Sequence, residues 1–160
     1  MKNFNFLFLL IILSSLNSFG QKLTCADFKT GEFYIPTDNE GAAKFLVYKN
    51  DELIEEISEP IDSIKKYIVI RNLKSQIEWK NAIDFGDPTY ENIEWIDDCT
   101  YRLTYDNAKN KKSEEDNWIN ENNGLLIKKI RIVDSCMEYS ATLTLPDGIK
   151  IVQKSKICKK

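Results

Sequence analysis

The 160-residue chain contains no histidine. That removes every Ser–His and Cys–His nucleophile system and every histidine-ligated metal centre. Glycine is scarce, with six residues scattered singly, so no glycine loop is present to cradle a phosphate. None of the four cysteines stands in a C-x-x-C pair, which takes away the redox and zinc-knuckle patterns. A spaced D-x-D-x-D-G calcium loop is missing as well. The chain also lacks a concentrated basic field: 22 basic residues face 25 acidic ones, for a net charge of −3. A nucleic-acid partner is disfavoured on that ground, because phosphate neutralisation needs such a field.

What is present begins with a leader. Residues 1–20, MKNFNFLFLLIILSSLNSFG, have the parts of a secretory signal: Lys2, an apolar stretch from Phe6 to Leu13, and a small-x-small site at Ser18-Phe19-Gly20. An uncleaved anchor is the alternative, but the apolar run is short of the roughly 20 residues a span needs, and polar residues follow it. Cleavage divides the chain into a signal peptide, 1–20, and one β-rich domain, 21–160, with no membrane span left. The expected location is the periplasm or the exterior. The leader carries one lysine and no acid, so 21 basic and 25 acidic residues remain, a charge of −4. About 140 residues suffice for one domain with a real core and are too few for two.

Cys25, Cys99, Cys136 and Cys158 all survive cleavage. An even number in an exported chain reads as disulfides, and four cysteines allow three connectivities. The preferred one joins Cys25 to Cys99, tying the N-terminal segment to a central strand, and Cys136 to Cys158, closing the last hairpin.

β-Branched and aromatic segments alternate with Asn/Asp/Lys-rich turns, which predicts an all-β body. Strands are expected over Phe28 to Ile35 and Lys66 to Arg71, with a hairpin at Phe45 to Ile57 turning on Asn50-Asp51. The tripeptides Ile77-Glu78-Trp79 and Ile93-Glu94-Trp95 read as neighbouring strands, joined by a loop over KNAIDFGDPTYEN. Tyr101 to Tyr105 alternates cleanly. Leu125 to Val133 shifts parity near Lys128-Lys129, as a bulge would cause, and Met137 to Leu145 and Ile149 to Ile157 form a last hairpin. One short helix is expected after Ser113, with Gly124 at its C′ position. About eight strands in sequence predict an antiparallel meander curled into a lipocalin-like barrel or curved half-barrel, the alternative being a two-sheet sandwich.

No catalytic residue is assigned, and no metal or cofactor is implied. A Glu78/Glu94 pair on one sheet face would suit glycosidase acid/base work, but a Glu between Ile and Trp is also what a half-buried strand turns to water. Asp97-Asp98 with Glu94 would give oxygen ligands without the loop that spaces them. Arg71, Gln76 and Glu78 cluster around one turn; in a barrel they hold a ligand's polar end or pair with one another as a brace. Trp79, Trp95, Tyr101 and Tyr105 form either a ligand wall or a core, since both use the same residue types. The charged run Lys109 to Asp116 reads as solvated, with Trp118 beside it as a candidate interaction point.

The spacings Cys25-x-x-Phe28-x-x-Gly31, Ile70-Arg71…Gln76-x-Glu78 and Trp95-x-x-x-Cys99-x-Tyr101-x-Leu103 carry a resemblance. The chain is similar to a group of small exported bacterial proteins of uncharacterised function that share the C-x-x-F-x-x-G start and the W-x-x-x-C-x-Y-x-L strand. The resemblance implies that Cys25 and Cys99 are a pair. A fainter similarity is to lipocalins: Gly31-Glu32-Phe33 has the glycine of their G-x-W motif without its tryptophan, and implies architecture only. The expected function is a non-catalytic, exported β-barrel that binds a small, partly apolar ligand. The alternative is a cell-envelope interaction module working through a sheet edge or the Lys109–Gly124 segment.

Overall fold

The computed structural model describes residues 22–37, 42–60 and 64–160; the expected leader, 1–20, lies outside the described residues. Among the described residues, ten strands and one α-helix follow a 3-10 turn, Cys25–Phe28. The strands are β1 (Gly31–Pro36), β2 (Ala42–Lys49), β3 (Glu52–Pro60), β4 (Lys66–Arg71), β5 (Ser75–Lys80), β6 (Thr89–Trp95), β7 (Thr100–Tyr105), β8 (Leu125–Val133), β9 (Cys136–Thr144) and β10 (Lys150–Lys159). The helix α1 (Glu114–Glu121) lies between β7 and β8.

All pairings are antiparallel. From β4 to β10 each strand pairs with the next, β1 pairs with β4, and β1 also meets β10 through Phe33↔Lys159 and Tyr34↔Cys158. These eight strands close a barrel, so the sandwich alternative and the open half-barrel fall. The meander is not continuous, however. The β2–β3 hairpin leaves the barrel after β1 and lays Phe45–Tyr48 along Lys150–Gln153 of β10. One edge of β10 therefore serves two partners, β2 at its start and β1 at its end. Among the described residues, 154–157 have no partner on that edge.

The strands form where side-chain parity demands it. In β9, Met137, Ala141 and Leu143 are buried at i, i+4 and i+6, the period of a sheet with one face inward. In β8, Ile127 and Ile132 both pack into the core although their spacing is odd. The register shifts between Lys129 and Arg131, and the extra residue, Ile130, is left outside. The parity change predicted near Lys128-Lys129 is this bulge.

One end of the barrel is plugged. The backbone N–H and the hydroxyl of Thr24 both donate to Asp27 Oδ2, at 2.9 and 3.0 Å, fixing the 3-10 turn. The turn presents Phe28 to the interior, where it stacks on Phe33 with ring centroids 5.9 Å apart. Phe28, Phe33, Val69, Met137 and Ile157 make one core cluster; Ile93, Tyr101, Leu103, Ile127 and Ala141 make a second, and Tyr139 touches both. Each such side chain contributes about 1.5–3 kcal/mol when fully buried. The first strand thus starts at Gly31, not at Phe28 as expected, because the Thr24–Asp27 cap winds Phe28 into the plug.

Both disulfides form as preferred, Cys25–Cys99 and Cys136–Cys158. Cys99 stands in the β6–β7 turn, not in a central strand, so the first bridge locks the plug to that turn. There Asp97 Oδ1 accepts from the N–H groups of Cys99 and Thr100, both at 2.7 Å. At α1, Ser113 Oγ accepts from the Asp116 N–H at 3.2 Å, as expected. The C′ residue is Asn123 (φ +69°), with Gly124 one position later.

Candidate ligand cavity in the barrel lumen

Beyond the plug lies a partly open cavity of about 630 Å³. Its wall follows from strand parity. The β4–β5 register sets Arg71 opposite Gln76 and Val69 opposite Glu78, so Tyr67, Arg71, Gln76, Glu78 and Lys80 share the inner face. The β5–β6 register sets Gln76 opposite Glu91, which brings Glu91 to the same wall. Tyr101, Leu103 and Tyr105 of β7, Ile127 of β8, and Tyr139 and Ala141 of β9 continue it, and β1, the β2–β3 hairpin, α1 and β10 also contribute to the lining.

Arg71 is the hub. It is 4 % exposed and spends its donors on three acceptors: Nε to Gln76 Oε1 (2.8 Å), Nη1 to the Phe28 carbonyl (3.0 Å) and Nη2 to the Tyr101 hydroxyl (2.8 Å). Gln76 Nε2 in turn donates to Glu91 Oε2 at 2.6 Å. The guanidinium also lies 5.6 Å from the Phe33 ring centroid. Arg71 and Gln76 therefore realise the brace, tying plug, β4, β5, β6 and β7 together.

Glu78 is different. It lies on the cavity wall, only partly buried, and among the described residues it makes no hydrogen bond or ion pair. Removal from water raises its carboxyl to about 7, against the opposing pull of Arg71 and Lys80. Glu91 rises to about 8 for the same first reason, reinforced by the charge of Glu78 and opposed by Gln76 and Arg71. The two titrate as a pair. Burial raises the phenols of Tyr101, Tyr105 and Tyr139 as well, so at neutral pH they are hydrogen-bonding and stacking groups.

The aromatic residues singled out in the sequence divide. Tyr101 and Tyr105 line the cavity. Trp95 faces inward but sits beneath it, 4.8 Å from the Tyr101 ring, with its Nε1 donating to the Leu73 carbonyl at 2.9 Å. Trp79 lies opposite Ile68 on the outer face and takes no part in the wall. The two Ile-Glu-Trp copies are neighbouring strands of opposite orientation: the first turns its Glu inward, the second its Ile and Trp. Glu94 is exposed and faces Arg102 at 3.9 Å, so Glu78 and Glu94 do not share a face and the acid/base pairing fails. Asp97 serves the backbone turn, and Asp98 pairs with Lys29 at 3.0 Å, which leaves Glu94, Asp97 and Asp98 dispersed.

Glu91 and Tyr139 were not singled out from sequence. For Glu91 the signal was its spacing: Glu91, Ile93 and Trp95 share one strand face. Placing the loop as far as Asn92 hid it, since β6 begins at Thr89. No family model, curated protein or solved structure matches this chain. Since a barrel hosts many unrelated activities, the cavity's own chemistry carries the functional argument.

Proposed function

We propose that this is an exported, non-catalytic barrel that holds one small, partly apolar molecule in its lumen. The observation that carries the reading is the cavity itself: about 630 Å³, within the size range of small-molecule sites. Its wall mixes Leu103, Ile127 and Ala141 with tyrosines and with Glu78, which has no hydrogen-bond or ion-pair partner among the described residues. Two disulfides suit an oxidising compartment, in keeping with the leader. No helix among the described residues is long and apolar enough to cross a membrane.

Native mass spectrometry of the purified protein against a panel of lipid-like probes tests the reading. One probe per chain is expected, and Ala141→Phe, which fills the lumen, should abolish uptake while the far-UV spectrum stays unchanged. A folded protein that takes up nothing across the panel overturns the proposal. The competing envelope-module reading draws on the free edge of β3, where Leu53 and Ile54 are exposed. That strand also carries Glu52, Glu55, Glu56 and Glu59, and charge of one sign along an edge discourages strand addition. The cavity is therefore the better-supported site.

A further inference from the structure

We propose that the lumen selects a ligand with a cationic head, an alkylammonium type of amphiphile, seated on Glu78 with Glu91 beside it. The inference rests on the lumen being a ligand site, and it names the ligand's chemistry.

Two carboxylates face the interior from adjacent strands. With Glu78 opposite Thr89 and Gln76 opposite Glu91, they stand as diagonal neighbours, about 7–8 Å apart along such a ladder. The one guanidinium nearby, Arg71, is already committed to Gln76, the Phe28 carbonyl and Tyr101 and touches neither carboxylate. A carboxylate withdrawn from water must be protonated, hydrogen-bonded or met by a cation. Glu91 has the Gln76 amide; Glu78, partly buried, feels the fields of Arg71 and Lys80 but has no hydrogen-bond or ion-pair partner among the described residues. A ligand cation placed there would complete the set.

Other groups facing this space agree. Tyr67 and Tyr105 supply aromatic faces, which attract ammonium groups, while the Tyr101 ring already carries the Arg71 guanidinium at 4.9 Å, and Glu115 of α1 adds a further acid to the lining. Asp116 of the same helix also acts on Glu91. Of the lysines in the lining, Lys80 and Lys154 are solvent-exposed and Lys44 belongs to the β2–β3 hairpin. Lys80 reaches Glu78 through its field without pairing with it. A carboxylate-headed ligand would set its own charge against Glu78 and Glu91, with the solvent-exposed Lys80 and Lys154 of the lining, not a buried cation, left to meet it. A cation-headed ligand brings the missing charge, and its alkyl tail lies along Leu103, Ile127 and Ala141.

Isothermal titration with decyltrimethylammonium, decanoate and decanol tests this at pH 8. The cation is expected to bind about tenfold tighter or more than decanoate. Glu78→Gln should erase that preference while decanol still binds, and Glu94→Gln, on the outer face, should leave it intact. Equal affinities, or a preference for decanoate, would overturn the cationic head and leave the ligand-binding reading standing. If none of the three binds a protein shown to be folded, both readings fall. Retained preference in a folded Glu78→Gln variant would also sink the assignment.

Discussion

Arg71 shows how one side chain can hold a barrel end together. Its three acceptors belong to the plug, to β5 and to β7, and through Gln76 it reaches β6. Arg71→Met would leave the Gln76 amide oxygen, the Phe28 carbonyl and the Tyr101 hydroxyl without their buried partner. A loss of roughly 3–5 kcal/mol is expected, measurable by urea unfolding. Asn110 and Asn120 do comparable work with amides: each donates to and accepts from one strand residue, Tyr90 and Tyr105 respectively, at 2.8–2.9 Å. Asn120→Ala should cost about 1–2 kcal/mol and release α1 from β7, which hydrogen exchange at Tyr105 would report. The carboxylates give a pH signature. Glu78 and Glu91 keep their protons to higher pH in the folded chain than in the unfolded one. Their contribution is fully present below the ordinary value of 4.5 and is lost as the pH climbs through about 7 and about 8. The thermal midpoint is expected to fall across that window, and the Glu78→Gln/Glu91→Gln double variant to give a flatter profile. An identical slope in the two proteins would count against the burial of both acids.

Among the elements, the turn that returns the chain from α1 to β8 has no room for a side chain at Gly124. A Cβ on Gly124 would stand 2.4 Å from the Leu103 carbonyl oxygen and 2.6 Å from Thr104 Cγ2, at φ +70°. The carbonyl is part of the β7 backbone and cannot yield. Gly124→Ala should therefore cost about 2 kcal/mol or more, whereas Gly148→Ala, with no atom within 4 Å, should cost only the strain of its positive φ. Elements were also where the sequence was most legible. The strands of the last hairpin, the bulge in β8 and the Ser113 cap all follow from local signals within a few residues. The two Ile-Glu-Trp segments mark where local signals stop. When the interior is a half-polar cavity, glutamate and tryptophan are both admissible inside. Orientation is then set by register with the neighbouring strands, and the tripeptide does not carry it. Glu91 was missed for a related reason: a polar run ahead of Ile93 reads as loop unless the strand is known to start at Thr89.

For the whole molecule, closure is the feature that sequence hid. Which strand seals the barrel is decided by pairing Phe33 with Lys159, 126 positions away, and no nearby residue encodes that contact. Long-range closure of this kind slows folding, and the Cys25–Cys99 bridge, spanning 74 positions, removes part of the entropy to be lost. Cys25→Ser/Cys99→Ser is expected to cost about 3–5 kcal/mol and to loosen the plug before the β8–β10 wall, visible as earlier exchange at Phe28 than at Met137.

The shared edge of β10 has its own consequence. A fully laddered barrel has a fixed girth, because widening it means breaking a continuous row of hydrogen bonds. Here, among the described residues, 154–157 are held on one edge only, between the stretch of β10 paired with β2 and the stretch paired with β1. The circumference can therefore change at that unpaired stretch of the edge, with every ladder among the described residues intact. Accommodating a bulkier tail then asks for a hinge at one place, and the wall on the far side, with Glu78 and its neighbours, keeps its shape.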